Sequence, residues 1–409
     1  MSTDAAIRPP ETTGRRQKRP YLHQIDLFRI LTFACVIAVH VIGGVNDSGS
    51  VSANGAMALL HFTRYAFFAL TGFVLIYQFA NDSFRARNFW PRRFALVGIP
   101  YVAWSVVYWA YSIYLGQNYG SVGWLLSRLG LDLVFGTAYY HLYFLLVTMQ
   151  VYLLFPLLLK LLRRTEGRHR WVLLVSAALQ LLCLWSLTYP PFTTGFAGQL
   201  WIHLYATFIP YQFFTVLGAI AAWHIDAVQA FLRRHARVLA IAVIATAVAA
   251  EWDYLRLVHG GMAPWMASGE FMPERIIWFI GVTVGLYLIG THWAAQRRDH
   301  DLLARMVRYG ADRSFGIFLI HPLMIEILAP AFVSWGSTIG HFWETVLLFF
   351  GVVALSLIGT EILRRSPGSL WLTGRPMLRT DLSVLIPRRF RTPAPARDSS
   401  KEVVCSPTP

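Results

Sequence analysis

The stretch Y-L-H-Q-I-D-L-F-R-I-L-T-F-A-C-V-I-A-V-H-V-I, Tyr21–Ile42, decides the fold. It is long and apolar enough to cross a bilayer, which takes about 20 residues of helix. It also carries Asp26, Arg29 and His40. At about 100° per residue, the step from Arg29 to His40 is about three full turns, so both lie on one helix face. Asp26 precedes Arg29 by one turn on that side. Polar groups are costly in hydrocarbon unless they face a partner or a watery cavity. This face is therefore expected to point into a protein-lined site.

The rest of the chain repeats the apolar pattern. Of 409 residues, 56% are hydrophobic and 15% aromatic, and the mean hydropathy is +0.48, which excludes an ordinary soluble domain. The net charge of +15 suggests nucleic acid at first sight. However, the charge lies in short loops between apolar spans, so no nucleic-acid partner is expected. Ten spans are predicted, at about 23–44, 56–80, 94–116, 139–161, 171–189, 205–223, 237–256, 274–292, 312–330 and 342–364. The expected architecture is an all-α, polytopic transmembrane helical bundle.

Lys/Arg bias sets the expected orientation. Most of the 36 basic residues fall in alternate segments: the N-terminus, the loops around Arg85–Arg93, Lys160–Arg170, Arg233–Arg237 and Arg297–Arg313, and the tail. Both termini are thus expected to be cytoplasmic, in a cell (inner or plasma) membrane. Residues 1–20 read as a basic cytoplasmic segment without a cleavable signal, 21–365 as the membrane domain, and 366–409 as a disordered tail lying near anionic lipid. Cys35, Cys183 and Cys405 match no disulfide or zinc spacing, and no metal is expected. The opposite loops, 117–138, 190–204 and 257–273, are rich in Gly and aromatic residues. They could form a mouth for a polar substrate or a plain interfacial belt.

Several further polar residues fall in or beside spans. Arg64, near the outer end of the second span, could hold an anionic or carbonyl group, pair with a carboxylate from elsewhere, or snorkel. Thr71-Gly72 permits close helix packing. Arg92 and Arg93 open the third span, where paired arginines beside a helix N-terminus suit phosphates. His141 lies at the outer end of the fourth span, with Tyr152 about three turns away on its face. Ser314 and His321 lie two turns apart on the ninth, and Pro322 frees a backbone carbonyl that His321 could satisfy. An imidazole at His40 could act as a general base or a covalent carrier. Walker, G-x-G-x-x-G, H-E-x-x-H and G-x-S-x-G motifs are absent.

Taken together, these pieces resemble the acyltransferase type 3 family of integral-membrane O-acyltransferases. The resemblance rests on Asp26-x2-Arg29-x10-His40, F-F-A-L-T-G-F at Phe67–Phe73, P-R-R-F at Pro91–Phe94, H-L-Y-F at His141–Phe144, and S-F-G-I-F-L-I-H at Ser314–His321. Spans five to eight carry no match. The resemblance implies transfer of an acyl group, usually acetyl, from cytoplasmic acyl-coenzyme A to a hydroxyl of a carbohydrate or lipid-linked glycan. Membrane lipid and the coenzyme are the implied partners. His40, Arg29 and Asp26 would be catalytic with His141 and His321 behind them, Arg92 and Arg93 would hold the coenzyme, and Arg64, Tyr152 and Ser314 would contact substrate. Thr148 stands where one branch of the family carries a glutamate, and the soluble esterase-like domain that many members append is not expected here. The rival reading is a transporter or flippase of a lipid-linked sugar, for which buried charges and broken helices serve equally well.

Overall fold

The computed structural model describes residues 19–80 and 84–378; for 333–339 it describes the helical backbone alone. The basic segment before Arg19 and the tail beyond Leu378 lie outside the described residues. Among those residues the fold is helical without strands. Chain order gives α1 (His23–Val45), α2 (Val51–Leu60), α3 (Thr63–Phe79), α4 (Ala86–Tyr114), α5 (Val122–Phe135), α6 (Tyr143–Arg164), α7 (His169–Thr188) and α8 (Gly195–Ile202). Then follow α9 (Gln212–Trp223), α10 (Ile225–Arg234), α11 (Ala236–His259), α12 (Pro264–Ala267), α13 (Ile276–Gln296), α14 (Leu302–Ile339), α15 (His341–Arg365) and α16 (Ser369–Thr373).

Among the described residues, nine helical segments are long and apolar enough to cross a membrane. The expected tenth, 205–223, is instead made of the 3-10 turns Leu204–Ala206 and Ile209–Tyr211 followed by α9, which has 12 residues and turns by 92° into α10. The turn falls at His224, whose Nε2 lies 2.8 Å from Nδ1 of His169. The second span is α2 and α3 end to end, broken at His61 and Phe62. Leu153, Leu157, Leu174, Leu182, Ile244 and Trp252 are exposed along α6, α7 and α11. Apolar side chains pointing outward on successive helices fit lipid as the surrounding solvent. The chain is a multi-pass membrane protein.

Two kinds of contact hold the bundle. First, α1 is central and touches α2, α3, α13, α14 and α15. Second, α3 and α9 cross at the closest approach. A Cβ at Gly72 would lie 2.0 Å from the Thr215 carbonyl oxygen, and one at Gly218 would lie 1.8 Å from that of Ala69. Only glycine fits at either position, as the Thr71-Gly72 pair suggests.

The connections define two faces. At the N-terminal face, the Tyr77 hydroxyl at the end of α3 donates to Pro20 O before α1 (2.7 Å), and Arg364 ending α15 donates to Asp312 (2.9 Å). At the opposite face, Asn46 after α1 donates to Thr345 in the first turns of α15 (3.1 Å).

The loops on the opposite face are more structured than their composition suggests, since 117–138, 190–204 and 257–273 carry α5, α8 and α12. The segment after residue 366 also departs from the expected disorder. Its first part folds as α16, with Ser369 and Thr373 buried, and the Trp104 indole donates to Leu372 O at 2.9 Å. An aromatic partner on α4 and a left-handed Gly374 (φ +61°) close this short helix.

Candidate active site

Two cavities lie along α1, one toward each face. The cavity toward the N-terminal face has a volume of about 650 Å³ and is lined by Arg19, Tyr21, Asp26, Arg29, Gln78 and Arg375, with Ile25, Phe73 and Val74. The cavity toward the opposite face has about 560 Å³ and is lined by His40, His61, Arg64, His141, Glu270 and Glu326, with several aromatic rings. Arg29 and His40 thus share a helix face, as their spacing requires, but open into different chambers. Eleven residues at about 1.5 Å each put them about 16 Å apart.

The histidine chamber is built by three elements converging on α1. The His321 ring from α14 lies 5.4 Å from that of His40 and 5.6 Å from that of His141, which precedes α6. The Tyr140 ring lies 4.6 Å from His40. Pro322 has no N–H to give the Phe318 carbonyl one turn back, so that carbonyl is free. His321 Nδ1 occupies it at 2.8 Å. This bond makes Nδ1 the donor and leaves Nε2 with the lone pair. That Nε2 and both ring nitrogens of His141 are buried without partners among the described residues. Each of these two rings thus has one unpartnered basic nitrogen, suited to accept a proton.

The chamber wall carries charge as well. Arg64 donates to Glu270 at 3.1 Å, so the carboxylate expected as one alternative does exist, on the loop before α13. Burial works to raise the Glu270 carboxyl, but the Arg64 guanidinium outweighs it and holds the group down at about 2. The loop itself is anchored by Arg275, fully buried and donating to the carbonyls of Ala267 and Gly269. On the other wall, the Tyr139 hydroxyl donates to Glu326 at 2.7 Å. Burial, then the Glu326 charge, raises the Tyr139 and Tyr140 phenols far above their usual range, so both remain donors.

The N-terminal chamber is cationic. Asp26 is buried and accepts a bond from the Tyr21 hydroxyl at 2.7 Å. Among the described residues one Asp26 carboxylate oxygen is taken by Tyr21, and no ion pair joins Asp26 to Arg29, one turn on. Arg93 reaches Gln78 at 3.1 Å and lies over the rings of Phe79, Phe89 and Tyr152. It therefore borders the chamber without lining it. Arg92 is exposed and lines neither cavity. Tyr152 packs beneath Arg93, outside both linings. Ser314 is buried, and its hydroxyl donates to Ala311 O at 2.9 Å within its own helix.

A protein-family model described as an acyltransferase domain matches residues 22–361. The chain belongs to this family. It is accordingly a membrane acyltransferase, which removes the transporter reading. No curated protein and no solved structure matches it.

The geometry of this acyltransferase adds residues that sequence reasoning missed. Glu270, Glu326, His61 and Tyr140 line the histidine chamber, while Arg19, Tyr21, Gln78 and Arg375 line the cationic one. Glu326 could have been noticed, since it stands five residues after His321 in an apolar run. Arg375 carried no such signal, being one of many arginines near the C-terminus. Among the described residues no group of three His, Cys, Asp or Glu converges to hold a metal ion.

Proposed function

We propose that this acyltransferase moves an acyl group, acetyl in the simplest case, from acyl-coenzyme A in the cationic chamber to a carbohydrate or lipid-linked hydroxyl in the histidine chamber. The observation that carries this reading is the pairing of the two chambers along α1, arginines at one end and histidines at the other. Arg19, Arg29 and Arg375 offer fork-shaped donors that suit the coenzyme's phosphates. Arg93, bound to Gln78 at the rim, would add to that field. The Lys/Arg bias supports a cytoplasmic N-terminal face in the cell or inner membrane, the side on which the coenzyme is available.

At the reaction centre, His40 takes the proton of the acceptor hydroxyl as its oxygen attacks the thioester carbonyl. The new C–O bond forms, the C–S bond breaks, and the thiolate leaves to be protonated. His141 and His321 supply free ring nitrogens beside His40 through which that proton can leave. Arg64 and Glu270 offer a paired donor and acceptor suited to sugar hydroxyls on the chamber wall.

The test is release of coenzyme A thiol by purified protein in detergent, with acetyl-coenzyme A and an oligosaccharide acceptor. His40→Ala should abolish transfer while the protein stays monodisperse. Arg375→Ala should raise KM for the donor about tenfold with kcat retained, the effect of one lost charge-assisted hydrogen bond. An active His40→Ala enzyme would overturn the assignment.

A further inference from the structure

Between the two chambers lies a layer of aromatic rings. Phe33 of α1, Phe67 of α3, Phe144 of α6 and Phe318 of α14 meet at one depth. The ring centroids of Phe33 and Phe67 are 5.7 Å apart, Phe67 and Phe144 4.5 Å, Phe144 and Phe318 5.6 Å, and Phe318 and Phe33 5.7 Å. The fourth contact returns to the first ring, so the set is closed. All four rings line the histidine chamber and form its floor. None of them lines the cationic chamber.

The layer also offers water little to hold. The hydroxyls beside it are already used within their own helices: Thr32 donates to Phe28 O (2.8 Å), Thr71 to Phe67 O (2.9 Å) and Thr148 to Phe144 O (2.8 Å). With their protons committed to their own helices, these hydroxyls offer water no donor within the ring of phenylalanines. Meanwhile the catalytic histidines rest directly on the collar. The rings of His141 and His321 lie 5.1 Å and 5.9 Å from that of Phe318.

We propose that these four phenylalanines form a closed aromatic collar that selects the acyl group by cross-section. The inference rests on the two-chamber reading of transfer. If the donor's phosphates sit among the arginines and the acceptor sits beside His40, the acyl end must pass this layer. A straight acyl chain needs only enough ring displacement to admit one methylene width. A chain branched at the carbon next to the carbonyl needs more. Phe33 and Phe318 are buried, whereas Phe67 and Phe144 are half-buried and in closest contact. Phe67 and Phe144 are thus the members with room to swing, and Phe67 controls the aperture from α3.

Butyryl- and isobutyryl-coenzyme A have the same carbon count and differ only in branching, so they isolate cross-section. The wild type should favour butyryl over isobutyryl by about tenfold or more in kcat/KM, in the range that one misplaced methyl group commands in a shaped apolar site. Phe67→Ala should bring the ratio to near unity. Phe67→Leu, which keeps most of the packing, should lower it in the same direction. Gel filtration and thermal stability would confirm that each variant is folded. An unchanged ratio in a folded Phe67→Leu and a folded Phe144→Leu protein overturns the collar as selector.

A second readout does not depend on turnover. With the native cysteines replaced by serine, a cysteine is placed at Gly43 in the histidine chamber or at Gln78 in the cationic chamber of the full-length protein in oriented vesicles. A membrane-impermeant maleimide should reach each from one face only, and from opposite faces. Labelling of either cysteine from both faces in the otherwise wild-type protein overturns a closed collar. Absence of turnover with every acyl-coenzyme A donor would instead refute the donor reading above, with the labelling result still deciding whether the collar is closed.

Discussion

His321 satisfies a backbone carbonyl and, in the mechanism proposed above, also passes on a proton; one set of substitutions separates the two. Pro322 deprives the Phe318 carbonyl of its helical partner, and His321 Nδ1 supplies a substitute at 2.8 Å. His321 is fully buried, so its removal leaves that carbonyl unpaired in an apolar surround. An unsatisfied buried acceptor costs about 1–3 kcal/mol. His321→Ala should therefore destabilise the protein by about that much, in addition to the packing lost with the ring. In a Pro322→Ala background, however, the backbone N–H of residue 322 can donate to Phe318 O. The acceptor term then disappears, leaving a coupling between the two sites of about 1–3 kcal/mol in a double-mutant cycle. His321→Asn sharpens the test, because its side-chain amide nitrogen falls where Nδ1 stood. It should recover the stability lost in His321→Ala yet leave transfer impaired, since the basic Nε2 of the ring packed 5.4 Å from that of His40 is gone. The assay is denaturant- or detergent-driven unfolding of wild type, the two single variants, the double variant and His321→Asn, run beside coenzyme A release. Equal costs of His321→Ala with and without the Pro322→Ala substitution would refute the reasoning. Full activity in His321→Asn would show that Nε2 takes no part in the chemistry.

Two further outcomes follow from the structure. Glu270 has a folded-state value of about 2 against an ordinary 4.5, so its pairing with Arg64 contributes fully above about 4.5 and is lost as pH falls toward about 2. The thermal stability gap between wild type and Glu270→Gln should be constant at neutral pH and close progressively below pH 4.5; a gap that instead widens on acidification contradicts the assignment. Gly72→Ala and Gly218→Ala would each place a methyl inside the α3–α9 crossing, where overpacking costs about 1–3 kcal/mol or more. Each should lower the melting temperature in detergent more than Gly123→Ala, which meets no atom within 4 Å, and equal effects at all three would count against the close approach.

The division between sequence and tertiary structure follows from the range of each interaction. Apolar runs of membrane length determine a helical membrane bundle, because hydrocarbon leaves the backbone no other partner than itself. The nine membrane-length helices fall where those runs lie, and the discrepancy at 205–223 arises from 3-10 turns inside the run, which hydropathy does not register. The helical repeat likewise places Arg29 and His40 on one face, since that relation is internal to α1. The proline-freed carbonyl beside His321 was equally legible, because all its parts lie within four residues.

What lies between those residues was not legible. Phe67, Phe144 and Phe318 fall inside stretches that carry the family resemblance, but nothing in the sequence says that they meet each other and Phe33 from four helices, as their rings do. The partner of Arg64 comes from a loop 206 residues away, and Arg375 reaches the cationic chamber only because α16 folds back against α4. Spacing along one helix fixes which side chains point the same way. Only the packing of many helices decides what stands in front of them, and in this protein that packing placed an aromatic layer between the arginine and the histidine.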